Sequence, residues 1–124
     1  VAAGWDLLPT LCELAGMNKP KGIDGVSFAP TLLGQTKKQE KREYLYWEFH
    51  ERGGKQAVRM GKWKGIRLNV RKNKDAPIEL YDLSKDIGEE KNLAEKHPDL
   101  VKKMAHAMAD SHTTNPNFRF LPGE

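Results

Sequence analysis

The sequence predicts an α+β fold: a four-stranded antiparallel sheet with a C-terminal helix packed on one face, preceded by a separate helix near the N-terminus. Three observations carry this. Apolar residues recur at helical spacing only towards the two ends of the chain. Between Glu43 and Tyr81 the pattern changes to short aromatic or alternating runs broken by Gly and Pro. A Gly61-Lys62 pair lies between two of those runs, as in a tight hairpin.

In order, Leu7, Leu8, Leu11, Leu14 and Ala15 fall on one stripe and predict a helix over Leu7 to Ala15. Asp6 can cap it, Gly16 can end it, and Pro9 is tolerated in the first turn, where its missing N–H has no intrahelical partner to lose. With no strand before it, this helix suits the end of a preceding domain. From Met17 to Gln39 the chain is rich in Gly, Pro and Lys and reads as a connector with one docked helical turn, capped by Ser27 and stopped by Gly34. Glu43 to Phe49 is the strongest strand signal, with bulk on both faces as in a strand covered on two sides. Gln56 to Met60 is the second strand. Trp63 to Val70 is the third, with Ile66, Leu68 and Val70 defining one face, and Ile78 to Tyr81 is the fourth. Pro98 suits the first turn of a final helix reaching Ser111, in which Leu100, Val101, Met104, Ala105 and Met108 make the apolar stripe. The tail is irregular, with Phe118 and Phe120 as docking residues.

A chain of 124 residues can bury a core without metals or disulfides. Hydrophobic residues at 38% and a mean hydropathy of −0.72 are low for a compact globule, so the three Trp, three Tyr and four Phe must supply much of the buried area. No Met stands at position 1, no basic-then-apolar leader follows, and no apolar run approaches the roughly 18 residues of a membrane span. A soluble piece of a longer chain is expected. Cys12 is the only cysteine, which excludes an internal disulfide or a Cys-based zinc site and predicts a small buried hydrophobe. Between Glu51 and Lys74, nine Lys or Arg stand against one Glu, a local +8 that leaves −4 for the rest of a +4 chain. Such a stretch is the solvated face of a sheet or a polyanion-binding surface.

Familiar catalytic patterns fail on inspection. His50-Glu51 lacks the second His at position 54, which is Gly, so no zinc-protease helix forms. Gly54-Lys55 is followed by Gln56 where a phosphate loop needs Ser or Thr, and Phe49 stands where its first Gly belongs. His97 and His106 point to opposite sides of the last helix and His112 lies beyond its end, so the three cannot converge on one metal and read as solvent-facing or capping residues. Neither Ser27 nor Ser84 lies in a nucleophile elbow. Trp63, flanked by Lys, reads as a core residue between solvated neighbours, and Arg59 as the partner of a carboxylate within the domain.

Three segments carry a resemblance. Trp5-Asp6-Leu7-Leu8-Pro9-Thr10-Leu11-Cys12-Glu13-Leu14-Ala15-Gly16, followed by Ile23-Asp24-Gly25-Val26-Ser27-Phe28-Ala29-Pro30-Thr31-Leu32-Leu33-Gly34, resembles the closing part of the sulfatase catalytic domain, with its D-x-x-P-T and D-G-x-S patterns. Ala57 to Lys64 is similar to the hairpin of that family's C-terminal subdomain. Glu79-Leu80-Tyr81-Asp82-Leu83-Ser84-Lys85-Asp86-Ile87 through Asn92-Leu93-Ala94 is similar to its L-Y-D-L signature, with Ile87 where the family usually has Pro. In that signature Asp82, Asp86 and Asn92 suit the bonding of free backbone N–H groups.

The resemblance implies that residues 1–42 are the last helix and connector of the α/β catalytic domain, and residues 43–124 the C-terminal subdomain of an arylsulfatase-type enzyme. Such enzymes hydrolyse sulfate esters with a formylglycine and a calcium ion. Those groups are expected in the parent enzyme and not in this piece, since Cys12 is followed by Glu-Leu-Ala-Gly and no cluster of Asp resembles the calcium site. No catalytic residue and no metal ligand is therefore assigned. The partners implied are the catalytic domain of the same polypeptide and a sulfated carbohydrate or aryl sulfate. No nucleic acid and no membrane is expected, and a periplasmic or secreted location is implied for the parent. The loop from His50 to Gln56 has two glycines and concentrated polar groups, so His50, Arg52 and Lys55 are candidates to hold the non-reacting part of a sulfated sugar, with Glu51 taking a hydroxyl. The alternative for these four is hydrogen bonding across a domain interface. The competing class for the whole chain is a free-standing basic polyanion-binding module.

Overall fold

The computed structural model describes all 124 residues, which fall into two compact units, Val1–Glu43 and Tyr44–Glu124. In the first unit a single 3₁₀ turn, Gly4–Asp6, leads into α1 (Leu7–Leu14), which stops at Gly16 with φ +68°. Asp6 stands at the cap position of α1 without a side-chain bond to that helix. Its buried carboxylate instead accepts N–H bonds from Ala3 (2.8 Å) and Val26 (3.0 Å) and a two-point contact from Arg42 (2.5 and 3.0 Å). Thr10 works alongside it: its hydroxyl donates to the Asp6 carbonyl (2.6 Å) and accepts from the Phe28 N–H (3.0 Å). Gly25 lies so close to these residues that a Cβ there would sit 2.3 Å from the Trp5 carbonyl oxygen and 2.8 Å from Pro9 Cγ. Ser27 Oγ accepts the Ala29 N–H (3.1 Å) where the short α2 (Ala29–Leu32) begins, and Gly34 (φ +72°) follows it.

The buried face of α1 is thus Pro9 and Thr10, while Leu7, Leu8, Leu11 and Leu14 are exposed and Cys12 is only half-buried. The expectation of a fully buried Cys12 fails because the residue stands beside that outward-facing leucine stripe.

The second unit is a meander of four antiparallel strands, β1 (Leu45–Phe49), β2 (Lys55–Met60), β3 (Trp63–Leu68) and β4 (Ile78–Asp82), adjacent in sequence order, followed by α3 (Pro98–Ser111). Met60 pairs with Trp63 across the Gly61-Lys62 turn, with Gly61 at φ +56°. Tyr46, Val58, Gly65 and Leu80 stand in register across all four strands. This row belongs to the face that α3 covers with Met104, Ala107 and Met108, and Val58, Leu80, Met104 and Met108 are completely buried. Gly65 lets the helix approach: a Cβ there would lie 2.4 Å from Met104 Sδ and 3.3 Å from Ile78 Cγ2.

The opposite face carries Trp47, Ala57, Ile66 and Glu79 in register. The expectation of a first strand covered on both sides is corrected here, since β1 is an edge strand and Trp47 and Phe49 are 36% and 50% exposed. β3 ends earlier than expected because Asn69 adopts φ +57°, which breaks the strand before Val70. Arg59 bonds to the Gly61 carbonyl (3.3 Å) and not to a carboxylate, because its strand leads straight into the turn beside it.

Beyond β4, short polar side chains take up the free amides of the turns. Asp82 accepts from the Ser84 N–H (3.1 Å) and hydroxyl (2.5 Å) and from Lys62 (2.7 Å), and these bonds hold its pKa down at about 2. Asp86 accepts from the amides of Lys91 (2.8 Å) and Glu90 (3.1 Å), and Asn92 Oδ1 from those of Leu80 (3.0 Å) and Ala94 (2.9 Å). Ile87 is 81% exposed, so a ring is not required at that position for packing.

Candidate functional site

The β1–β2 loop and the connection from β3 to β4 meet at one end of the sheet. Arg52, Gly53 and Gly54 have φ of +54°, +88° and +78°, three consecutive residues in a region that ordinary side chains avoid. This path lets the Val70 N–H donate to the Gly54 carbonyl (3.2 Å) and the Arg71 N–H to the Gly53 carbonyl (3.1 Å). Close contacts add to this, most firmly at Gly54, where the buried Val70 side chain stands in the way. A Cβ at Gly53 would be 2.7 Å from Asn69 Oδ1, and one at Gly54 would be 2.7 Å from Arg71 Cγ and 2.9 Å from Val70 Cγ2.

The four candidate residues occupy different settings around this junction. Glu51 and Arg52 are exposed at the loop tip. Lys55 begins β2 on the side of the sheet away from α3, its ammonium 5.8 Å from the centroid of the Phe49 ring. His50 is turned under the C-terminal tail: its ring lies 3.7 Å from that of Phe118 and 4.8 Å from that of Phe120, and Nε2 is 3.2 Å from the Arg119 carbonyl oxygen. The paired loop backbones bring exposed Arg71 alongside the Gly53-Gly54 segment that separates Arg52 from Lys55. Arg71 was missed from sequence. The signal lies in the hairpin register, since pairing Lys55 with Leu68 obliges residues 69–71 to return alongside 53 and 54.

Beneath this end, on the α3 side of the sheet, runs a chain of polar side chains. Arg67 Nη1 donates to the Lys74 carbonyl (2.9 Å) and to Gln56 Oε1 (3.4 Å), while its Nε is buried without a partner. Buried Gln56 donates to the Tyr46 hydroxyl (2.8 Å), which donates to Glu48. Glu48 Oε1 is 2.6 Å from His112 Nδ1, and His112 Nε2 meets Glu124 Oε1. Glu124 also accepts the amides of Phe120 (2.9 Å) and Leu121 (3.0 Å). Burial and the neighbouring Glu48 carboxylate push the Tyr46 phenol upward. Burial alone would lower the His112 pKa, but the two carboxylates outweigh it and the imidazolium is favoured. The tail amides and His112 hold Glu124 down at about 2.

His112 stands at the C-cap position of α3 but is a half-buried bridge and not solvent-facing, because the chain beyond α3 folds back over β1 and supplies a second carboxylate. His97 precedes α3 without a side-chain cap bond and lies against Trp63, ring centroids 4.8 Å apart. No group of three or more His, Cys, Asp or Glu side chains is placed to hold a metal ion, and no helix is long and apolar enough to cross a membrane.

Comparison with known proteins places this arrangement. The family model described as N-sulphoglucosamine sulphohydrolase, C-terminal, matches residues 1–114. The Δ4,5-hexuronate-2-O-sulfatase of Bacteroides thetaiotaomicron is 38% identical over 112 residues, covering 88% of this chain and 23% of that protein. Human arylsulfatase A is 35% identical over 112 residues, covering 75% of this chain and 22% of its own length. A solved structure described under the metabolism of multiple glycosaminoglycans by Bacteroides thetaiotaomicron superposes with a TM-score of 0.61 at 27% identity, over 85% of this chain and 24% of that one. The chain therefore spans about a quarter of the length of the relatives it matches. A match running from Val1 through α3, over both compact units, shows that the chain belongs to the sulfatases, in the family of N-sulphoglucosamine sulphohydrolase C-terminal domains.

Proposed function

We propose that this chain is the C-terminal part of a sulfatase that hydrolyses sulfate esters of sugars, residues 1–42 closing the catalytic domain and 43–124 forming the subdomain that borders the substrate. The observation that supports this most is a family match over residues 1–114 in relatives of which the chain spans only about a quarter. The named hexuronate-2-O-sulfatase among them supports a sulfated sugar as substrate. Calcium and formylglycine belong to the rest of the parent polypeptide. The residues here do not fit them: no acidic cluster is placed to ligate a cation, and Cys12 sits within α1, followed by Glu13-Leu14-Ala15. This piece supplies scaffold and substrate rim and no catalytic group, and the parent enzyme works in the periplasm or outside the cell.

At the rim, Arg52 and Lys55 hold an anionic group of the sugar away from the reacting ester, with Glu51 accepting a hydroxyl, and His50 fixes the loop through the tail. The test uses the full-length polypeptide and a panel of mono- and disaccharide sulfates, reading sulfate release. Arg52→Ala and Lys55→Ala each raise KM about tenfold for the preferred sugar, as loss of a charge-assisted contact does. Unchanged kinetics on every accepted sugar sulfate overturns the rim assignment, and no sulfate release from any ester overturns the enzyme class. Tight, steeply salt-dependent binding of DNA by the 124-residue chain would favour the polyanion-binding module instead.

A further inference from the structure

At the opposite end of the sheet from the His50–Gly54 loop lies a cleft of about 500 Å³ lined by Lys62, Trp63, Asp82, Lys85, Asp86, Lys91, Leu93 and His97. The β2–β3 turn, the exit of β4 and the start of α3 form its walls. Its aromatic surface is the half-buried Trp63 ring, which has the Lys62 ammonium 4.9 Å from its centroid and the His97 ring 4.8 Å away.

The charges of the lining are not equivalent. Asp82 is committed to Lys62 and to Ser84, and Asp86 to the amides of Glu90 and Lys91. Both carboxylates are thus turned back into the protein's own turns. The exposed ammonium groups of Lys85 and Lys91 and the exposed His97 remain around the opening. An apolar ring bordered by cations with spare donors complements a ligand that has both a C–H face and a negative charge.

We propose that this cleft binds an anionic saccharide, one sugar ring set against the part of Trp63 that lines the cleft and its sulfate or carboxylate held by Lys85 and Lys91. The choice of a saccharide over another anion rests on the sulfatase reading; the cleft and its charge do not. Binding here, at the far end of the sheet from the β1–β2 loop, lets one extended glycan be gripped at two places and raises its effective concentration at the rim.

The test is affinity electrophoresis of the complete polypeptide in gels containing dextran sulfate or uncharged dextran, with sulfate release from small sugar esters measured separately. Retardation by dextran sulfate alone is expected, weakened about tenfold in the Lys85→Ala/Lys91→Ala double variant, which changes only exposed residues and leaves the fold intact. Trp63→Phe, which keeps an apolar ring, should weaken it less than Trp63→Ala. Three outcomes overturn the proposal: no retardation, retardation unchanged in the double lysine variant, or equal retardation in gels containing poly-glutamate. If the full-length enzyme releases sulfate and is not retarded, the cleft assignment fails and the sulfatase reading stands. If it is retarded through Lys85 and Lys91 and releases no sulfate, the reverse holds.

Discussion

His112 links two carboxylates from opposite ends of the second unit's chain, and this makes the tail pH-dependent. Its pKa is raised in the folded protein, so the stability it contributes is complete below the unfolded value near 6.5 and is lost as pH rises through the folded value. Glu124, held at about 2 against an ordinary 4.5, contributes stability above 4.5 that is lost as pH falls towards 2. The tail should therefore be held most firmly between these limits. Amide exchange of Phe120 and Leu121 measured from pH 4 to 9 should show protection falling on the alkaline side, and His112→Gln should remove that fall. Asp6 is the corresponding residue of the first unit. Burial would raise its pKa, yet Arg42 and the amides of Ala3 and Val26 bring it below the ordinary value. Replacing it with Ala strands a mostly buried guanidinium and two amides, and should destabilise the first unit by about 3–5 kcal/mol by thermal denaturation. Both residues show where sequence reading stops. Asp6 was read as the cap of α1, but it makes no cap bond, and two of its partners lie 20 and 36 residues away. His112 carried no periodic signal, since its two partners come from β1 and from an irregular tail.

Among the elements, the sheet and α3 were legible because alternation and helical spacing are local properties, and the β2–β3 turn was marked by Gly61, whereas the break at Asn69 was not. What was not legible is the fit between elements. Gly65 in β3 reads only as a weak strand residue, yet it is the point at which Met104 meets the sheet. Gly65→Ala should cost about 1–3 kcal/mol through overpacking, lowering the melting temperature by several degrees. Met104→Ala on its own should cost about 2–5 kcal/mol. Introduced together they should cost less than the sum of the two, because the truncated helix side chain makes room for the new methyl. Strict additivity would mean that the two sites do not share a contact. The D-x-x-P-T and D-G-x-S patterns have the same character. Each was recognisable, but only the structure shows that they are two halves of one contact, in which Pro9 packs on Gly25 and Thr10 takes the amide of Phe28.

On the scale of the whole molecule, α1 turns its leucines outward and the sheet leaves Trp47 and Phe49 partly open, while the relatives are about four times longer. Of the loop proposed as a rim, the sequence located Arg52 and Lys55 beside the two glycines, but not the contact of His50 with the tail or the return of Arg71 alongside Gly53. In the full-length enzyme, Arg71→Ala should raise KM for the preferred sugar sulfate about as much as Arg52→Ala, with kcat little changed. The interlocked loops also bear on redesign. Gly53 and Gly54 pair through their carbonyls with the amides of Arg71 and Val70, and Gly54 lies close under the Val70 side chain. A loop transplanted from a relative to alter sugar preference must therefore travel with its partner, Val70 and Arg71, and libraries that vary either one alone will sample mostly misfolded loops.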